Sequence, residues 1–230
     1  MASPIYKESD YMANEYLSPT EAAKIGTQYK EMVDGVVVEI QSGFNDFFAD
    51  MKQEWEDNHA VKFAKDLQTA MGEVTDHLKE NCLKFRNTIN DIAKAYGTTG
   101  DMEVGDVVAE IIPRTLTLTT SIIQNTFDGD KFGFMHVESH DNIARAISTL
   151  ITKIGSIRDT ISSRIEGIDS FGNDQVRRNL GDSGGRIVEI LQEAIKEVEK
   201  AAKENLEAAA NAYTTTGSKA ADAANIGKGA

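Results

Sequence analysis

The chain has 230 residues, of which 40% are apolar, and a formal net charge of −13 at pH 7. That length fits one large domain or two small ones, and the apolar share supplies a real core, which excludes disorder throughout. Lys and Arg gather into no dense patch, so the acidic balance argues against nucleic acid and against anionic lipid surfaces as partners.

Residues 1–17 show no period and read as a flexible tail. The opening MASPIYKESDYM has no apolar core of the secretory type, and no run of about 18 apolar residues occurs anywhere. The sequence therefore predicts no stable membrane insertion, and a place in the cytoplasm or outside the cell by a route without a cleaved signal peptide. Ser18, Pro19, Thr20 and Glu21 then combine an N-cap, a proline at the first helical position and the glutamate of a capping box. From Ala22 through Tyr29, Val33, Ile40, Phe44 and Phe48 to Trp55, apolar residues recur at threes and fours, the stripe of an amphipathic helix. After a break at Asp57 and Asn58 the stripe resumes at Ala60 and Phe63 and runs through Leu67, Leu78, Cys82, Phe85 and Ile92 to Tyr96, with Gly97 and Gly100 as stops. Cys82 cannot form an internal disulfide and falls on that stripe, so it reads as a small buried hydrophobe. Residues 18–101 are thus an antiparallel helical hairpin.

Residues 102–138 read as a connector. Its segment DVVAEIIPRTLTLTTSIIQNTF is apolar, is interrupted by Pro113, and reads as helical, although the Thr-Leu alternation from Thr115 to Thr119 fits a strand as well. From Ser139 the helical stripe returns at Ile143, Ile147, Leu150, Ile154, Ile161 and Ile168. The break SFGND carries Phe171 and Gly172, and a further stripe runs from Ile187 through Leu191, Val198 and Leu206 to Tyr213. This second hairpin covers 139–217, and 218–230 read as a flexible C-terminal tail.

The second arm of each hairpin closes on the same phrase, AYGTTG at Tyr96 and AYTTTG at Tyr213, 213 − 96 = 117 positions apart. Such self-similarity points to two related halves. One hairpin buries one stripe per helix and needs a second hairpin against it. The expected fold is all-α: two long antiparallel helical hairpins forming a four-helix bundle, a single-chain pseudo-dimer, with a partly helical connector. If the hairpins pack antiparallel, Trp55 lies near Tyr213 and Phe171 near Tyr96.

Several motifs look catalytic. GDSGG at 181–185 copies a serine-protease nucleophile segment, but helical periodicity follows it and its glycines read as a helix break. HVESH places His136 and His140 four apart, yet the other histidines, His59 and His77, lie on the first hairpin, so a solvated helix start capped by Ser139 is the simpler reading. Glu54, Glu56 and Asp57 are carboxylates on a turn with no pocket implied. No phosphate-binding glycine loop is present. The expectation is a non-enzymatic protein with no cofactor and no metal site.

The first turn reads W-E-D-N-H-A-V-K-F, with Ala60 five and Phe63 eight residues after Trp55. Here the chain resembles the WXG family of type VII (ESX) secretion substrates, in which a Trp-X-Gly turn joins two helices and a tyrosine signal follows the second. Asp57 stands at the glycine position, while Phe171 stands where the second tryptophan would be and Gly172 follows it. The Tyr-X-X-X-acid signal is displaced: Asp101 lies five residues after Tyr96, and Tyr213 is followed by Gly217. The resemblance implies a secreted substrate or partner-carrying protein of a Gram-positive bacterium. Its partner would be the type VII machinery or a co-secreted protein, and it would be a monomer with an internal pseudo-dimer or a homodimer. Trp55, Asp57, Phe63, Tyr96, Asp101, Phe171, Gly172 and Tyr213 are the recognition candidates, against the simpler reading that these aromatics only cap the core. Two other readings stay open: a cytoplasmic protein coating an apolar or membrane surface, and a helical pore-forming toxin inserting 107–127.

Overall fold

In the computed structural model of the chain, the described residues are 17–99, 103–118, 133–134 and 136–226, with backbone alone at 99 and 217–226. Among the described residues four helices carry the fold: α1 (Pro19–Glu54), α2 (Asn58–Thr99), α3 (Ser139–Glu166) and α4 (Asp174–Ile226). Two two-residue strands, β1 (Trp55–Glu56) and β2 (Gly133–Phe134), pair antiparallel. The class is all-α, and the helices form two hairpins joined at 55–57 and 167–173. The capping box at the start of α1 is complete: Ser18 N donates to Glu21 at 2.8 Å and Glu21 N donates to the Ser18 hydroxyl at 3.2 Å.

The chain divides into two compact units that cut across the hairpins, since each takes a stretch of every helix. Unit 1 comprises Met1–Val38, Thr75–Thr115 and Ile157–Ile190. Its core includes Ile25, Tyr29, Val33, Phe85, Ile89, Ile161 and Ile187, all fully buried. Tyr29 stacks on Phe85 with ring centroids 3.8 Å apart. The Asn81 amide donates to the Tyr29 hydroxyl and to the Ser183 carbonyl, at 2.9 and 3.0 Å. Within this unit α2 and α4 run antiparallel, as the pairs Asn81–Ser183, Phe85–Asn179 and Tyr96–Asn173 show. Cys82 is fully buried, and burial, helped by nearby Asp34, pushes its thiol up to about 12.

Unit 2 comprises Glu39–Val74, Leu116–Ser156 and Leu191–Ala230. Phe47 meets Phe63 edge to face at 5.9 Å, and Ile40, Phe44, Leu67, Ile154, Leu191 and Val198 fill the same core. Again α2 and α4 oppose: Asn205, 2% exposed, donates to the Asp66 carboxylate at 2.8 Å and accepts from Lys62 at 2.9 Å. Burial disfavours the Asp66 charge, but the hydrogen bonds from Lys62 and Asn205 outweigh it and leave the carboxyl below its usual range.

Several expectations change. The connector segment 103–118 contains no helix. It is an extended strap whose Val108, Ile111, Pro113, Leu116 and Leu118 are buried, in the strand-like sense that the Thr-Leu alternation allowed. Pro113 has no N–H and restrains its predecessor to extended backbone, which opposes a helix through this stretch. GDSGG is not a break either, because α4 runs through it from Asp174. A Cβ at Gly184 would meet Ile165 Cγ1 at 2.7 Å, so a residue without a side chain lets α3 and α4 approach, and that contact offsets the weak helix propensity of glycine. Likewise α2 passes Gly97 and reaches Thr99, and α4 continues to Ile226 where a tail was expected from 218. Residues 1–16, 100–102, 119–132, 135 and 227–230 lie outside the described residues.

The strap is gripped by its backbone. Asn90, 2% exposed, accepts from Val107 N and Val108 N at 3.0 and 2.8 Å and donates to Val108 O at 3.3 Å. Asp106 bridges Lys94 and Arg86 at 2.6 and 2.8 Å, and the Lys94 hydrogen bond, assisted by Arg86, holds its carboxyl below the usual range. Arg114 N donates to Asp34 at 2.8 Å. Val108 presses into the notch left by Gly26, where a Cβ would sit 2.4 Å from Val108 Cγ1. Gly26→Ala is therefore expected to destabilise the wild-type chain by about 1–2 kcal/mol through overpacking, despite better helix propensity. In a Val108→Ala background the same change should be neutral or stabilising by up to about 1 kcal/mol. A denaturant double-mutant cycle measures the difference, and additive effects would disprove the notch.

Candidate functional site

The α1–α2 joint is built from Trp55, Glu56 and Asp57. Asp57 is 6% exposed and caps α2: its Oδ1 accepts from Ala60 N at 2.8 Å and its carbonyl from Val61 N at 3.1 Å. An acid serves this position because the first turn of a helix presents unpaired N–H groups and a positive dipole end. Trp55 is 2% exposed and packs on Phe63 at 5.9 Å and on Phe134 at 5.6 Å. Tyr213 approaches from α4, meeting Phe134 at 5.2 Å and the His59 ring at 6.3 Å. Trp55 and Tyr213 therefore converge on Phe134, which stands between them, and the His140 ring meets Phe134 edge-on at 5.9 Å. Among the described residues, Trp55 Nε1, Asp57 Oδ2 and Tyr213 OH are buried without a hydrogen-bond partner. His59 Nδ1 lies 3.5 Å from Asp57 Oδ2.

The α3–α4 joint repeats this grammar within unit 1. Asn173 caps α4, its Oδ1 accepting from Gln175 N and Val176 N, both at 3.0 Å. The aromatic stands two residues before the cap in both joints, Trp55 before Asp57 and Phe171 before Asn173. Phe171 and Gly172 adopt positive φ of 50° and 72°, a left-handed turn uncommon for a bulky residue, and Asp169 accepts from Phe171 N at 2.8 Å. Tyr96 reaches this turn through Asn173, whose amide donates to the tyrosine hydroxyl at 3.1 Å. Phe171 itself is half-buried beneath Lys24 Nζ, 5.0 Å from the ring centre.

Of the sequence candidates, Trp55, Asp57, Phe63 and Tyr213 come together at one joint, and Tyr96, Phe171 and Gly172 at the other; Asp101 lies outside the described residues. Phe134 was missed, whereas His140, Ser139 and Glu54 were weighed in the sequence but not as members of this joint. Ser139, expected as a cap, is fully buried and donates to Glu54 at 2.7 Å while accepting from His136 N at 2.9 Å. The carbonyl that opens α3 is that of Glu138, which accepts from Asn142 N at 2.9 Å. His136 precedes α3 and His140 lies within it, so one helix does not carry both. Ser183, the serine of GDSGG, is buried within α4 at 5% exposure. No group of three His, Cys, Asp or Glu among the described residues could hold a metal ion. The Trp55 joint thus gathers buried aromatic rings with two donors and one acceptor that have no hydrogen-bond partner among the described residues.

Compared with known proteins, the chain matches no family model, no curated protein and no solved structure.

Hydrogen bonds from Ser139 and then Asn142 hold the Glu54 carboxyl below its ordinary value, with His136 and Arg145 adding in the same direction. A lowered carboxylate pKa contributes stability that is complete above the unfolded value and is lost as pH falls through the folded one. Ser139→Ala should move the Glu54 titration upward toward the ordinary carboxylate value, as read by carboxyl-detected NMR; an unmoved titration would mean the bond does not persist in solution. At the cap, Asp57→Ala should cost about 1 kcal/mol and Asp57→Gly only a few tenths, measured by denaturant unfolding. Equal losses would show that Asp57 acts other than as a cap.

Proposed function

We propose that this chain is a non-enzymatic substrate or partner-carrying protein of a type VII secretion system, recognised as a folded helical bundle and exported without a cleaved signal peptide. The observation that carries the reading is the meeting of a turn aromatic with a helix-closing tyrosine, Trp55 with Tyr213 around Phe134. In the WXG family that the first turn resembles, such a pair forms one composite recognition surface. The second joint, where Tyr96 bonds the cap that follows Phe171, supports the reading of two related hairpins. Asp57 at the glycine position is compatible with it, because glycine and aspartate are both favoured at helix N-caps.

Expression of the tagged protein in a Gram-positive host with and without its type VII ATPase tests this. Full-length protein in the supernatant only when the ATPase is present, with strong retention of Trp55→Ala at unchanged cellular level, is the expected result. Absence from the supernatant, or ATPase-independent release, would overturn the proposal.

A further inference from the structure

In unit 1 a groove of about 590 Å³ runs between α2 and α4, within the size range of small-molecule sites. Asn81 and Ser183, each 5% exposed, are its buried lining, and the Asn81 amide joins the two helices there. The antiparallel register fixed by the Asn81–Ser183 and Phe85–Asn179 hydrogen bonds sets Lys84 against Arg178 and, one turn along, Glu80 against Asp182. Like charge therefore faces like charge across the groove at both levels. That arrangement costs free energy, modest at exposed positions, whereas opposite charges facing each other would stabilise. Glu80 with Lys84, and Arg178 with Asp182, also stand four apart on their own helices, the spacing at which ion pairs form. None of the four makes an ion pair among the described residues, and of Arg178 only Nε is engaged, by the Asp174 carbonyl at 3.3 Å. The α2–α4 groove of unit 2 is the internal comparison. Its lysines are spent, Lys62 on Asp66 at 2.7 Å and Lys200 on Glu197 at 3.3 Å.

We propose that the unit 1 groove binds a small zwitterion, with a phosphate held between Lys84 and Arg178 and an amine held between Glu80 and Asp182. The guanidinium offers two parallel donors to phosphate oxygens and the ammonium adds a point charge, while the two carboxylates accept from the amine. The two seats lie one turn apart, about 6 Å along the helices. Arg186, a turn beyond the acidic level, is engaged by Glu189 at 2.9 Å, which leaves Lys84 and Arg178 as the phosphate seat. A phosphate alone meets the nearby carboxylates and the net charge of −13, and an amine alone meets the two cations. A ligand carrying both groups relieves both like-charge pairs at once. The site is independent of the secretion reading.

The probe is O-phosphoethanolamine, titrated into the full chain at fixed ionic strength and followed by the backbone amide resonances of 80–84 and 178–182. Saturable shifts confined to this groove are expected, with a Kd at least about tenfold below those of inorganic phosphate and of ethanolamine. Lys84→Glu sets a carboxylate against Arg178, so it should leave the denaturation midpoint unchanged or raised while abolishing binding. Asp182→Asn should weaken phosphoethanolamine at least about fivefold and strengthen inorganic phosphate, a reversal that a purely structural role would not produce. The proposal is wrong if the groove resonances do not saturate, if inorganic phosphate binds as tightly as phosphoethanolamine, or if Lys84→Glu binds as wild type does.

Discussion

Everything in this fold follows from the half-covered state of an amphipathic hairpin. Two helices joined by a short turn bury the stripe between them and leave the flanks open, so each hairpin needs another surface of the same period. Apolar stripes alone specify that need but not the offset at which it is met. Polar residues buried between the hairpins supply the offset. In unit 1, Asn81 ties α2 to α1 and to α4 at one level, and Asn173 ties α4 to α2 at another. In unit 2, Asn205 joins α4 to Asp66 on α2. A slip of one residue would leave these amides buried and unpaired, a larger loss than any one bond contributes.

The two joints solve one problem with different chemistry. A helix that begins inside a packed assembly must satisfy its first N–H groups without water, and a buried Asp57 or Asn173 does so. The aromatic two residues earlier seals the turn, as tryptophan beside Phe63 in one case and as phenylalanine under Lys24 in the other. Asn173 spends its spare donors on Tyr96, whereas a carboxylate at position 57 has none to give. That difference leaves Tyr213 free to pack with its face and edge against Phe134 and His59.

Much of this was legible in the sequence because helical stripes are dense and long. The four helices, the capping box at Ser18 and the convergence of Trp55 with Tyr213 follow from period, cap chemistry and the repeated AY phrase. The strap was not legible as a strap: its apolar residues are the same kinds that fill a helix, and its partners are polar groups such as Asn90 and Asp34 that a stripe analysis treats as surface. The glycines of GDSGG misled for a related reason, since local propensity disfavours helix there while packing of Gly184 on Ile165 favours it. Phe134 carried no signal at all, because a two-residue strand has no period.

The residues that grip the strap through Val108, Asp106 and Arg114, namely Gly26, Asp34, Arg86, Asn90 and Lys94, lie on α1 and α2 and precede it in the chain. On the ribosome, the first hairpin and its strap can therefore associate before any residue of the second hairpin has been synthesised. A nascent apolar flank is covered by the stretch that emerges next, and the unfinished protein carries its own temporary protection against aggregation.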